Sequence, residues 1–216
     1  MMRRDPNDIK PKTKNLKPKT KIMKKSLSLI FALFVAIGSF AQNAKATMDK
    51  AVAALQKSSV TASYSATGQL NDAGTLKLKG NKYCATGKTG TIWFDGKTQW
   101  TYMKSTDEVN IVTPNSKKVS VLNPYAVLNL YKSGYTLSQK KVAAGTEIYM
   151  KATGNQTYKE IYVTLNAKLQ PVSLRFLNSK GWTTVTLSNY QTKNLPDSTF
   201  KFNKKQYPSA EINDLR

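Results

Sequence analysis

The sequence predicts a mainly β protein of the α+β type: an unclosed antiparallel β-barrel, in effect a curled sheet, with an N-terminal helix and a short second helix over its concave face. Three observations predict it. About ten segments alternate apolar and polar residues between turn residues, and a twisted sheet of that size curls. Only two segments carry helical spacing, too few to cover one side of such a sheet. Finally, the strands within residues 90–113 carry large apolar groups on both faces and need cover on both.

The chain opens on a polar, basic extension, residues 1–22, in which Lys-Pro-Lys-Thr-Lys occurs twice. Such a composition buries too little apolar surface to order itself, and it lacks the aromatic interleaving of a nucleic-acid groove. Residues 23–41 read as a secretory signal: Lys24 and Lys25 precede an apolar run over 27–40, and Ser39-Phe40-Ala41 has small residues at both cleavage-specifying positions. Cleavage between Ala41 and Gln42 is expected, with Met23 as the true start or 1–22 as a long basic lead. The apolar run is shorter than the roughly 20 residues that cross a bilayer. No cysteine follows the cleavage position, so no lipid anchor is expected. Residues 42–216 then form one domain.

Within it, Met48, Val52 and Leu55, with Ala51 beside them, recur at helical spacing and predict an amphipathic helix over 44–57. Alternation through Val60, Ala62, Tyr64 and Ala66 predicts a strand, 71–74 a turn, and Leu76 and Leu78 between lysines a second strand. Gly80-Asn81 interrupts the pattern, a short strand follows around Cys84, and 87–90 turns into the central segment. There Asp95-Gly96 between apolar runs predicts a hairpin with a two-residue type I′ turn. Period two places Thr91, Trp93, Thr98, Trp100 and Tyr102 on one face, and Ile92, Phe94, Gln99, Thr101 and Met103 on the other.

The second helix is predicted over 122–135. Asn123 suits the N-cap, Pro124 the first helical position and Gly134 the C′ position, and Val127, Leu130 and Tyr131 share a face with Leu128 nearby. Strands resume at 135–138, 146–152, 158–165, 171–177 and 182–190, and Phe200 and Phe202 form a last apolar pair. The strands from 60 through the central hairpin are each expected beside their neighbour in sequence, as an antiparallel meander.

Charge and composition narrow the chemistry. The formal charge is +22 on 34 basic and 12 acidic residues. Residues 42–216 hold 24 basic and 10 acidic residues, a formal +14, which favours anionic membrane surfaces, acidic partners or nucleic acid. Histidine is absent and Cys84 is the single cysteine, which removes histidine general bases, His or Cys metal cages and an internal disulfide. Gly87-Lys88-Thr89 and Gly96-Lys97-Thr98 echo a phosphate-binding loop, but the required upstream glycine is Lys82 in one and Thr91 in the other. Ser138-Gln139-Lys140-Lys141 and Lys88-Thr89-Gly90 mimic two serine-hydrolase boxes in the wrong order and on strands. Asp107-Glu108 reads as a turn tip, since adjacent strand residues point to opposite faces. No catalytic residue, metal ligand or cofactor is expected.

Lys79-Gly80-Asn81-Lys82-Tyr83, then Phe94-Asp95-Gly96-Lys97-Thr98-Gln99-Trp100-Thr101-Tyr102, Asp107-Glu108-Val109 and Leu195-Pro196-Asp197-Ser198-Thr199-Phe200-Lys201-Phe202 together resemble the periplasmic lipoprotein carrier family LolA, in its Bacteroidetes-type branch. The resemblance covers 42–216. It implies an unclosed barrel with a helical lid, located in the periplasm and working without cofactor or chemistry. It further implies a monomer that carries the acyl chains of lipoproteins from an inner-membrane lipoprotein-releasing complex to an outer-membrane acceptor or to the outer membrane itself, with no nucleic-acid partner. Proteobacterial members carry an Arg-Pro pair before an aromatic position where this chain has Gly80-Asn81 before Tyr83. Their gating is therefore not carried over; only the aromatic position is, to Tyr83.

On this reading Tyr64, Leu76, Leu78, Tyr83, Trp93, Trp100, Tyr102 and Leu128 are expected to line the lipid-binding concavity. Pro124, Val127, Leu130 and Tyr131 are expected to form part of its lid. The alternative is a lipid- or lipoprotein-binding envelope sensor or scaffold domain on the same fold.

Overall fold

The computed structural model describes residues 41–114 and 128–216, all within one compact unit, Gly38–Arg216. The basic extension, the signal segment up to residue 40, and the expected lid residues Pro124 and Val127 lie outside the described residues.

Helix α1 is described over 41–56, already helical three residues before its apolar spacing indicates, so the expected cleavage pair Ala41 and Gln42 lies in helix. Ala44, Met48, Ala51, Val52 and Leu55 form its buried stripe. The helix ends where Ser58 folds back, its backbone N–H and hydroxyl both donating to Leu55 O.

Two antiparallel meanders follow. The first comprises β1 (Ser59–Gly68), β2 (Asp72–Lys79), β3 (Lys82–Gly87), β4 (Gly90–Phe94), β5 (Gln99–Met103) and β6 (Glu108–Val112). The second comprises β7 (Tyr135–Val142), β8 (Gly145–Ala152), β9 (Glu160–Leu165), β10 (Pro171–Asn178) and β11 (Gly181–Thr192). Pairing of β1 with β11 joins them, and a late strand β12 (Glu211–Asp214) adds to β6, giving one sheet in the order β12-β6-β5-β4-β3-β2-β1-β11-β10-β9-β8-β7. The sheet curls without closing, as the sequence predicts: β12 and β7 remain its two edges. At the junction the register slips by one residue between Thr61 and Ser63, opposite Asn189, which takes a left-handed φ of 55°. Such a bulge bends its strand and increases local twist.

Two expectations are corrected. The central hairpin turns through four residues, 95–98: Phe94 pairs with Gln99, and the Asp95 carboxylate accepts the backbone N–H groups of Lys97 and Thr98. Asp95 prefers this side-chain turn to a positive φ, so only Gly96 (φ 99°) is left-handed. The register moves by two residues relative to a two-residue loop, which preserves the predicted faces. Of the last apolar pair, Phe200 ends a 3-10 turn, Asp197–Phe200, and Phe202 follows it. Second, β12 is a strand that the sequence reading lacks, and it pairs with β6 in parallel. Four residues, Glu-Ile-Asn-Asp, carry too little alternation to signal a strand, and the exposed edge of β6 supplies the reason to pair.

Around the second expected helix, residues 128–129 are helical and continue into a 3-10 turn, Leu130–Lys132. Gly134 takes φ 78°, the left-handed conformation that its place beyond the helix end requires.

Candidate functional site

Cross-strand register decides which side chains share a face. Val60 pairs with Leu78, Leu78 with Tyr83 and Tyr83 with Phe94, so these four form one row on one face of the sheet. Farther along β1 the same face carries Tyr64 and Ala66, which pair across the junction with Leu187 and Val185, and it continues through Leu174 and Phe176, Val163 and Ile161, Ile148 and Met150. Together with the buried stripe of α1, Leu128, Tyr131 and Tyr135, they form one apolar cluster. This is the inner, concave face.

Tyr64, Leu76, Leu78, Tyr83 and Leu128, five of the eight residues expected to meet lipid, lie in this cluster and are buried. Trp93, Trp100 and Tyr102 do not. Trp93 pairs with Cys84 and Trp100, and Tyr102 with Thr91 and Val109, on the opposite face. There Cys84, Trp93, Leu195 and Phe200 form a second cluster, with Trp100, Tyr102, Phe202 and Tyr207 packed against it. The Trp93 ring meets Phe202 and Tyr207 edge-on at 5.6 Å, and Tyr102 lies 4.5 Å from Tyr207. The expectation that all eight residues line one hollow is therefore corrected. Adjacent strand residues such as Trp93 and Phe94 face opposite ways, and the C-terminal segment packs over the Trp93 side.

Several inner-face groups are pinned. Tyr83 is fully buried; its hydroxyl donates to Gln99 Oε1 at 2.9 Å, and burial pushes its phenol pKa well up. The Tyr64 hydroxyl donates to Asp72 Oδ2 at 2.8 Å. Asp72, itself buried, also accepts the Lys88 N–H at 2.8 Å, the Ala73 N–H at 2.9 Å and the Thr89 hydroxyl at 3.4 Å. Burial alone would raise the Asp72 carboxyl, but hydrogen bonds from Tyr64, Lys88, Ala73 and Thr89 outweigh it and hold the pKa below the usual value.

Of the expected lid residues, Leu130 packs half-buried against the inner cluster and Tyr131 is buried within it. The Tyr131 hydroxyl donates to the Asp49 carboxylate of α1, which also pairs with Lys45 at 3.1 Å. Those two bonds, Tyr131 first, hold the Asp49 pKa down. Thr47 adds a second tie from α1, donating to Gln139 Oε1 of β7 at 2.9 Å.

The second meander supplies much of the inner face, through Ile148, Met150, Ile161, Val163, Leu174, Phe176, Val185 and Leu187, and the sequence reading assigns none of these to the site. Their alternation is legible as strands. Alternation does not say which of its two phases points inward. Half-buried Ile92, Phe94, Leu130 and Leu137 mark the rim of the cluster. Among the described residues no group of three or more Cys, Asp or Glu side chains is placed to hold a metal ion, and none of their helices is long and apolar enough to cross a membrane.

Comparison with known proteins bears on this arrangement. The profile of the family described as "Outer membrane lipoprotein carrier protein LolA" matches residues 35–179. No curated protein matches the chain. Among solved structures, an uncharacterised conserved protein from Thermus thermophilus superposes with a TM-score of 0.56 at 13% identity, over 80% of this chain and 99% of that one, and shares the fold. A LolA superfamily protein from Nitrosomonas europaea matches at TM-score 0.35 and 11% identity, over 71% of this chain and 97% of its own. The Mycobacterium tuberculosis lipoprotein LppX matches at TM-score 0.37 and 11% identity, over 72% and 98%. With its curled open sheet, its apolar inner face under a helix and a family match over most of its length, this chain belongs to the outer membrane lipoprotein carrier protein LolA family.

Proposed function

We propose that the chain is a periplasmic carrier that takes the acyl chains of lipoproteins against the inner face of its sheet and moves them from the inner to the outer membrane. The observation that carries this reading is the inner face itself: a continuous apolar surface across both meanders, covered among the described residues by one helix and a 3-10 turn. An acyl chain of some sixteen carbons gains on the order of 10 kcal/mol on leaving water, at about 0.8 kcal/mol per methylene. A lipoprotein therefore does not cross an aqueous space unaided, and a carrier that shields its chains meets that need without chemistry.

Tyr64, Leu76, Leu78, Tyr83 and Leu128 are the inner-face residues assigned to the acyl chains, joined by Ile92 and Phe94 at the rim. Leu130 and Tyr131 belong to the cover, and the Tyr131–Asp49 bond is the tie that must loosen when cargo enters. The donor is an inner-membrane lipoprotein-releasing complex, and the acceptor is an outer-membrane protein or the membrane. The basic mature surface favours anionic head groups or acidic docking partners.

The test combines saturable uptake of a fluorescent fatty acid by the delipidated protein with depletion in cells. A carrier takes up the acyl group, and its loss strands lipoproteins at the inner membrane. Failure of uptake, together with lipoproteins unmoved on depletion, overturns the proposal. Uptake with lipoproteins unmoved favours a sensor or scaffold instead.

A further inference from the structure

The outer face holds a second concavity of different chemistry. The segment after β11 crosses β2, β3 and β4, packs tightly through Phe202 and Tyr207 on Trp93, and stands off the sheet alongside. A cavity of about 670 Å³ lies between them. It falls within the size range of small-molecule sites.

Its charge is one-sided. Lys77 of β2 and Lys201 and Lys204 of the crossing segment line it, and no carboxylate does. The carboxylate of that segment, Asp197, is engaged instead by Lys79 at 3.0 Å and Lys82 at 2.5 Å. Lys77 and Lys201 form no ion pair among the described residues, and Lys204 spends one donor on Ala210 O. Three ammonium groups around one hollow repel one another unless an anion joins them.

The remaining walls are those of a polyol site. Thr91 is buried at the floor, its hydroxyl lies 3.5 Å from that of Thr86, at the limit of a hydrogen bond, and the Thr86 hydroxyl lies 3.9 Å from Cys84 Sγ; with one donor and two lone pairs each, both hydroxyls keep capacity for a ligand. Asn203 and Gln206 add amides, and the Trp93, Phe202 and Tyr207 rings form one side. The negative faces of aromatic rings accept the C–H faces of a sugar ring. Lysines suit a phosphate as compact point charges.

We propose that this cavity binds a phosphorylated sugar, its phosphate among Lys77, Lys201 and Lys204 and its hydroxyls on Thr86, Thr91 and Asn203. The sugar is either free or the head group of a lipid. The site lies on the face opposite the acyl surface and stands independently of the carrier proposal.

The test is calorimetric titration of the protein with glucose 6-phosphate at low salt. Saturable binding is expected, weakened about tenfold or more in a Lys77→Gln/Lys201→Gln double variant and unchanged in Lys180→Gln, a lysine of the β10–β11 turn. Glucose and inorganic phosphate are each expected to bind about tenfold more weakly than the ester. The double variant should keep its melting temperature and its uptake of a fluorescent fatty acid, which separates this site from the inner face. Sedimentation with phosphatidylinositol vesicles that glucose 6-phosphate competes away supports the site with a head group as its source. Binding of the ester without sedimentation supports it with a free sugar. Absence of saturable binding, equal affinity in the double variant, or inorganic phosphate binding as tightly as the ester each overturns the proposal.

Discussion

Replacement of Asp72 by alanine tests how the inner face is held. Asp72 is 5% exposed and accepts four hydrogen bonds, from the Tyr64 and Thr89 hydroxyls and the Lys88 and Ala73 N–H groups. Gly87 lies so close that a Cβ there would run into the Asp72 carboxylate and the Tyr64 hydroxyl, so the pair is built into three strands. A charge-assisted hydrogen bond contributes about 1.5–3 kcal/mol net, and a buried donor left without acceptor costs about 1–3 kcal/mol. Tyr64 bears that full cost, whereas the three donors on the β2 end and the β3–β4 turn regain part of theirs from water. Asp72→Ala should therefore cost about 3 kcal/mol. Tyr64→Phe, which leaves the carboxylate three donors, should cost about 1 kcal/mol.

Urea unfolding followed by tryptophan fluorescence reads both. With a slope of about 2 kcal/mol/M, the alanine variant's midpoint falls by about 1.5 M. The pH dependence has a definite sign. The folded carboxyl titrates below its usual value, so its contribution is whole above the unfolded pKa near 4 and is lost as pH falls through the folded value. Wild type should lose more stability than Asp72→Ala on acidification. A midpoint shift under about 0.3 M, or parallel acid limbs in the two proteins, would refute the reasoning.

Three further predictions follow from the two faces and their ties. Trp93→Ala opens a large cavity under the C-terminal segment and should cost about 3 kcal/mol in urea unfolding while leaving fatty-acid affinity of the folded protein unchanged; Phe94→Asp, one residue along and half-buried on the inner rim, should lower that affinity about tenfold. Tyr131→Phe removes the bond to Asp49, and hydrogen exchange of the amides around residues 128–134 should quicken with the fold's midpoint nearly unchanged; unaltered exchange would deny the tie any role in holding the cover. Lys82 and Lys79 hold Asp197 down to about 2, so the clamp on the C-terminal segment is whole above about pH 4 and is lost as pH falls from there through about 2. Exchange protection over 195–210 should fall with it in wild type, and Asp197→Asn should show reduced protection already at neutral pH.

The sequence by itself determined the type of helix α1 and of the strands in the two meanders, though not β12. Alternation of apolar and polar residues, Gly and Asn punctuation, and the Met48–Val52–Leu55 stripe follow from local geometry, because strand and helix periods are written directly into neighbouring residues. It also settled the relation between the faces of the central hairpin, since a loop longer by two keeps the same parity. Tertiary structure alone decided which face is the interior. Trp93 and Phe94 are both large and apolar, and only the pairing of Phe94 with Tyr83 and the arrival of Phe202 and Tyr207 over Trp93 tell inner from outer. The partners that decide it lie far apart in sequence: Tyr64 meets Leu187 across the junction, and Glu211 pairs with Glu108 at the edge. Periodicity has a range of a few residues, whereas a sheet that joins two meanders and then folds its tail over its own back is specified by contacts more than a hundred residues apart.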